Sequence, residues 1–318
     1  MSSAPGFTIR DIAPEKKVRI RALHAQRPWW NLKGLAFVAI WAGAGWTALH
    51  VPLLPVRLVC WFLIGATIQG LVILMHEGVH RIMFRNRYLN RWVAFVCGVP
   101  AALSVTAYRV GHLPHHRHER GSRDPDELEN VTRNPRRLAL LICLMFLGGE
   151  VFGFYRVGPT AALRAAGAER RAILVEYGII VAAFVAAFSL LPLATLLQVW
   201  ILPALFARQL TNVRTIAEHV LTGHGGPFAV TRTVISNRFV SFFMCNLNYH
   251  LVHHLYPAVP WYHLPALHRW LADDLRQAGA HVYPSYTAFL LDLAAFVREA
   301  WRPGGNRLAL TLPVQRAA

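Results

Sequence analysis

Histidine is the residue through which this chain can do chemistry. His76 and His80 in HEGVH stand four positions apart, His112, His115 and His116 in HLPHH follow an i, i+3, i+4 spacing, and His250, His253 and His254 in HLVHH repeat it. On a helix of 3.6 residues per turn each group shares one face. Neutral imidazoles presented together are transition-metal ligands. One such cluster is adequately explained by hydrogen-bonded histidines near a surface; three with matching spacing are not. Eight imidazoles suit two metal ions, because a first-row metal takes about four to six ligands. A nitrogen set without cysteine fits zinc or iron, and of the two only iron has redox chemistry and activates dioxygen.

Such ligands need a scaffold, and the composition specifies one. The chain has 318 residues, 55% of them hydrophobic and 15% charged, with a mean hydropathy of +0.34. About 20 apolar residues cross a bilayer. Leu32 to Leu49, Leu53 to Met75, Leu138 to Tyr155, Ala172 to Leu191 and Leu193 to Phe206 reach or approach that length. These runs exclude an ordinary soluble domain and predict an all-α integral membrane protein. The first run follows a long polar segment and ends in no small-residue cleavage site, so it reads as a span and not as a signal peptide. Cys60, Cys97, Cys143 and Cys245 lie scattered with no CxxC pair and read as small hydrophobes. The formal charge of +17 suits a basic inner face against anionic lipid, not a nucleic-acid partner.

Sidedness decides which histidines can meet. Arg10, Lys16, Lys17, Arg19, Arg21 and Arg27 precede the first span, with Trp29 and Trp30 at the interface, and place the N-terminus in the cytoplasm. The first span leaves, the chain turns between Val51 and Pro55, and the second returns by Met75. HEGVH therefore sits at the cytoplasmic surface beside Arg81, Arg85, Arg87 and Arg91. For HLPHH to share that face, Trp92 to Ala107, with Gly98 and Pro100, must be re-entrant or interfacial, as irregular backbone buried against protein permits. Arg156, Arg164, Arg170 and Arg171 likewise make Leu138 to Tyr155, interrupted by Gly148 and Gly149, a second non-crossing segment. The expected fold has about four transmembrane helices, re-entrant or interfacial helices and a cytoplasmic histidine-rich cap, with both termini inside. It divides into a cytoplasmic segment 1–31, a membrane domain 32–270, and cytoplasmic helices and tail 271–318. LPALHRWLADDLRQAG, Leu264 to Gly279, reads as an amphipathic helix.

Two other chemistries compete. HEGVH fits H-E-x-x-H, in which two histidines bind zinc and Glu77 would be the general base of a protease; this needs one further ligand and leaves two triplets unused. A metal transporter would string its ligands along a path near the bilayer midplane, whereas these lie at the ends of spans.

HEGVH, HLPHH and HLVHH, in that order after two pairs of spans, resemble the three histidine boxes of the membrane fatty acid desaturase and hydroxylase superfamily over about Leu53 to Leu267. The resemblance implies a non-haem centre of two iron ions that uses dioxygen as co-substrate and two electrons to oxidise an unactivated carbon–hydrogen bond. It also implies one more ligand before the last box, where His219 stands in RTIAEHV. The implied metal ligands are therefore His76, His80, His112, His115, His116, His219, His250, His253 and His254. Four residues before His219, where family members carry a water-linked asparagine, this chain has Thr215. Desaturation of a fatty acyl or lipid chain is the expected outcome. The alternative is hydroxylation or ketolation of a carotenoid, alkyl or other hydrophobic substrate, since HHRHERGSRDPDE and HHLYPAVPW also resemble carotenoid ketolases and hydroxylases.

Around the boxes, Glu77, Glu119, Glu218 and Asp124 can hydrogen-bond outer imidazole nitrogens or be solvated surface groups. Asn246 and Asn248 can contact the centre or cap its helix. Pro114 requires the first turn of a helix, His118 lies outside the pattern, and Arg123, Asp124, Asp126 and Glu127 predict a salt-bridged loop. HGGP, His224 to Pro227, reads as a loop and not a haem motif. No haem, flavin or ferredoxin motif is visible, so electrons are expected from a separate donor such as a ferredoxin docking on the arginine-rich face. A bacterial inner membrane is the expected location.

Overall fold

A chain this apolar must satisfy its backbone within helices, and it does. The computed structural model describes residues 8–148, 160–224 and 226–312. Its helices are α1 (Pro14–Ala22), α2 (Lys33–His50), α3 (Leu54–Val79), α4 (Arg87–Gly98), α5 (Val105–His118), α6 (Pro135–Phe146), α7 (Gly167–Leu190) and α8 (Leu193–His219). There follow β1 (Arg232–Val234), α9 (Arg238–Phe243), α10 (His250–Leu255), α11 (Leu264–Trp270), α12 (Ala272–Gln277), β2 (His281–Tyr283) and α13 (Tyr286–Ala300).

Among the described residues, four helices are long and apolar enough to cross a bilayer: Pro28–His50, Leu54–Val79, Gly167–Leu190 and Leu193–His219. The protein is an all-α integral membrane protein, and these are the four spans expected from hydropathy. Two of them run several residues past the C-terminal ends of the apolar runs. At 26 residues, α3 is about 39 Å long against a hydrocarbon core of about 30 Å, which carries His76 to the edge of the apolar layer. Beyond Phe206, α8 continues to His219 because ARQLTNVRTIAEH contains no glycine or proline to stop it. The chain bends by 97° between Arg87–Ala101 and Val105–His118, which makes this pair either a broken span or the re-entrant segment expected from sidedness. The 12-residue α6 is too short to cross, and it ends before Gly148, which has φ +88°. The rest of the Leu138 to Tyr155 run, with Gly149 and Arg156, lies outside the described residues, as does Gly225 of HGGP.

The chain forms two units. One comprises Gln26–His112 and Glu150–Asn212. Here α3 is buried nearly throughout from Ile64 to Val79. Two glycines allow its neighbours this close: a Cβ on Gly65 would lie 2.7 Å from the Pro203 carbonyl oxygen, and one on Gly78 would lie 2.2 Å from Ala94 Cβ. Pro203 has no N–H for the Val199 carbonyl one turn back; the Trp41 indole donates to it instead, at 2.7 Å. Leu197–Ile201 forms a π turn at this point. At the 97° bend Ala102 has φ +56°, and one carboxylate organises the turn. Glu176 of α7, 4% exposed, accepts from Ser104 Oγ (2.6 Å), Thr106 N (3.0 Å), Thr106 Oγ1 (2.7 Å) and Arg91 Nη2 (2.9 Å).

The other unit comprises Met1–Ala25, Leu113–Gly149 and Val213–Ala318. Its core joins Leu138, Ala139 and Ile142 of α6, Ile216 and Ala217 of α8, and Phe289, Leu293 and Phe296 of α13. β1 and β2 pair in parallel, Arg232 opposite His281. Arg232 is fully buried, donates to the carbonyls of Ala217 (3.0 Å) and Leu221 (2.9 Å), and lies over the rings of Tyr283 (5.6 Å) and Phe289 (5.3 Å). Burial pulls its guanidinium down to about 10, which leaves it charged at neutral pH. The sequence expectation of one helix over Leu264 to Gly279 is corrected to two, α11 and α12. Leu264, Leu267, Leu271 and Leu275 do form one buried stripe, but Leu271 sits at φ −95°, ψ 3°. Asp273 and Asp274 then open a new first turn, where acidic side chains are favourable.

Glu176→Ala leaves Ser104, Thr106 and Arg91 without their shared acceptor, and should cost about 3 kcal/mol. The expected reading is a clear drop in the thermal midpoint of the detergent-solubilised protein, with Glu176→Gln retaining part of the loss.

Candidate metal centre

The two units each present histidines from helix ends. In the first, His76 lies in the last turn of α3, His80 just beyond it, and His112 on α5. His80 Nε2 lies 3.0 Å from His112 Nε2. The His76 ring is 4.7 Å from that of His80 and 4.6 Å from that of His112, and one nitrogen from each of the three falls within 4.8 Å of the others. Tyr108, one turn before His112, places its ring 5.1 Å away. Asn90 shapes the exit from His80, donating to the Gly78 carbonyl at 2.7 Å and accepting from Met83 N at 3.2 Å. Glu77 is buried, its Oε1 3.8 Å from His76 Nδ1, beyond hydrogen-bond length.

In the second unit, His115 and His116 end α5, His219 ends α8, and α10 carries His250, His253 and His254. His250 Nε2 is 2.9 Å from His219 Nε2 and 3.0 Å from His254 Nε2. The His115 ring lies 4.6 Å from His219. His116 stacks on His254 at 4.0 Å and stands 5.1 Å from His253. Carboxylates hold the outward nitrogens. His115 Nδ1 meets Asp124 at 2.9 Å, His254 Nδ1 meets Glu119 at 2.8 Å, and His219 Nδ1 lies 3.4 Å from the same Glu119. Glu218 differs, its Oε2 lying 3.5 Å from His250 Nε2. Among the described residues, non-glycine residues with positive φ cluster where these helices end: Arg81 after His80, Arg120 after His118, Leu221 after His219, and Cys245 and Asn246 before His250.

Three sequence expectations need correction. Pro114 is not in a first turn but inside α5, which begins at Val105, so the Val110 carbonyl has no N–H one turn on. Neither asparagine caps the ligand helix: Tyr249 occupies the N-cap of α10, while Asn248 donates to Val234 O at 2.9 Å and Asn246 to Trp261 O at 3.4 Å. The cation of the acidic loop is Arg120, not the exposed Arg123. Arg120, its side chain 2% exposed, pairs with Glu127 and Glu129 and donates to Thr222 O at 2.9 Å. Its backbone N–H also donates to Asp124 Oδ2 at 3.0 Å, which braces the carboxylate that holds His115. Sequence reading passed over Arg120 because its inward direction follows from a φ of +58°, and no residue type signals that turn. Arg232 escaped for a different reason, since its partners come from other elements of the fold, and Glu129 escaped because its partner is the overlooked Arg120.

These donors fit a cation. With His254 Nδ1 hydrogen-bonded to Glu119 and His219 Nδ1 3.4 Å from the same carboxylate, the Nε2 atoms of both rings face His250 Nε2. His250 is 2% exposed, and burial, then the neighbouring His254, His219 and His253, hold its imidazole well below the ordinary range. It is neutral at physiological pH. Neutral imidazole nitrogens gathered in a buried space beside a carboxylate are a donor set suited to a metal ion. One atom from each of His115, Glu119, His219 and His254 lies within 4.8 Å of the others.

A family model described as Fatty acid desaturase matches residues 52–286. The sn-1 oleoyl-lipid 12-desaturase of Arthrospira platensis is 22% identical over 255 residues, covering 71% of this chain and 71% of its own. Every histidine placed above falls within the family match.

Glu119→Gln removes the carboxylate that holds His254 Nδ1 and faces His219 Nδ1. It should weaken divalent-metal binding about 10- to 100-fold, as read by chelator competition, while the circular-dichroism spectrum is unchanged.

Proposed function

The chain belongs to the fatty acid desaturase family and is a desaturase-type oxidoreductase; from that premise we propose that it inserts a double bond into an acyl chain of a membrane lipid. The observation that carries the reading is the convergence of inward imidazole nitrogens from helix ends, with their outward nitrogens held by Asp124 and Glu119. The proposed ligands are His76, His80, His112, His115, His116, His219, His250, His253 and His254, holding two irons. When bound, that pair supplies the oxidising power by which dioxygen, two electrons and two protons take two hydrogens from adjacent carbons, leaving an alkene and two waters.

Iron is proposed over zinc because the reaction is an oxidation and zinc has no redox chemistry. The protein's own part is to hold those nitrogens neutral and aimed, to keep water from them by burial, and to admit a chain from the bilayer. Asp124 and Glu119 fix which nitrogen of each partnered imidazole carries the proton. Electrons come from a separate carrier such as a ferredoxin, and the centre and both termini face the cytoplasm of a bacterial inner membrane.

Profiling the lipids and carotenoids of an expressing host tests this. New double bonds should appear with the wild type and be absent with His253→Ala, and the purified protein should hold about two irons per chain. New hydroxyl or keto groups would instead identify a hydroxylase or ketolase; one zinc with peptide cleavage lost in Glu77→Ala would identify a protease.

A further inference from the structure

We propose that Glu218 is itself a metal ligand, an oxygen donor in a set otherwise built of imidazole; the inference rests on the di-iron reading above. Direction is the first argument. Asp124 and Glu119 meet the outward Nδ1 atoms of His115, His254 and His219. Glu218 Oε2 instead lies 3.5 Å from His250 Nε2, the nitrogen that faces His219 and His254 at 2.9 and 3.0 Å. A carboxylate that only orients an imidazole contacts the nitrogen turned away from the metal. Glu218 contacts the one turned toward it, and an atom each from Glu218, His219 and His250 lies within 4.8 Å of the others.

Capacity is the second argument. Glu218 is 2% exposed. Its Oε2 accepts from Arg214 Nη1 at 2.7 Å, and its Oε1 is buried with no hydrogen-bond partner. An ionised carboxylate has about four lone-pair sites, so one arginine bond leaves acceptor capacity unused where polar groups are normally satisfied. The third argument is fixation. Thr231 Oγ1 donates to the Glu218 carbonyl at 2.7 Å and Arg232 to that of Ala217 at 3.0 Å. With Arg214 set one turn back on the same helix, the backbone and the side chain of this residue are both held before any ion arrives.

The test uses the full-length protein in detergent, titrated anaerobically with ferrous iron. Iron per chain, the thermal midpoint with and without iron, and the infrared difference between loaded and metal-free protein are read for wild type, Glu218→Gln and Glu218→Asp. The expected result is two irons in the wild type. Glu218→Gln should keep the metal-free midpoint, bind one iron at least about ten-fold more weakly, and lose part of the iron-induced rise in midpoint. A carboxylate band that shifts on loading should vanish with it, and Glu218→Asp should recover part of the affinity. If Glu218→Gln binds both irons as the wild type does with the full rise, the ligand role falls while the di-iron reading stands. A midpoint lowered equally with and without iron makes Glu218 structural and also overturns the proposal. A wild type that binds no iron overturns both.

Discussion

The constraint on which the site depends is the packing of several imidazoles against one another in a buried space. His250 Nε2 lies 2.9 Å from that of His219 and 3.0 Å from that of His254, where buried polar groups must find their partners within the protein. Carboxylates stand behind three of the neighbouring rings: Glu119 is hydrogen-bonded to His254 and lies 3.4 Å from His219 Nδ1, Asp124 meets His115, and Asp124 is braced in turn by the backbone of Arg120. Side chains arranged in this way before any ion arrives suit a metal site, in which a protein trades some of its own stability for affinity.

Backbone strain belongs to the same arrangement. A left-handed conformation costs an ordinary residue roughly 1 to 2 kcal/mol. This chain nonetheless adopts it at Arg81, Arg120, Leu221, Cys245 and Asn246, all at turns that enter or leave a histidine helix. Glycine would relieve the strain but would leave these turns floppy. A side chain at the turn can be used, as Arg120 shows by reaching back to Glu127, Glu129 and the Thr222 carbonyl. The ligand helices therefore end abruptly and in fixed directions, with little fraying beside the imidazoles.

What could be read from sequence follows from how local the cause is. The spans were legible because a bilayer imposes a length and a composition on contiguous residues, and the histidine spacing was legible because helix geometry is local. The far end of α8 was not, since the apolar run stops at Phe206 while the helix goes on to His219. Pro114 misled because a proline inside a helix is tolerated only when its surroundings compensate, and those surroundings come from elsewhere in the chain. Asp124 and Glu119 could be nominated as carboxylates close to a box, but the ring and nitrogen that each would face depended on the fold. Arg120 and Arg232 carried no signal, because an arginine in a polar stretch looks solvated until its distant partners are known.

Arg232 has a bearing on when the site can exist. Its guanidinium holds the Ala217 and Leu221 carbonyls on either side of His219, and it is itself enclosed by Tyr283 and Phe289. During synthesis all the histidines of the three boxes leave the ribosome before Tyr283 and Phe289 do. Until those rings close over it, Arg232 remains in water and the end of α8 is unpinned. The end of α8 is thus pinned only when the last part of the chain arrives, after the box histidines have already left the ribosome.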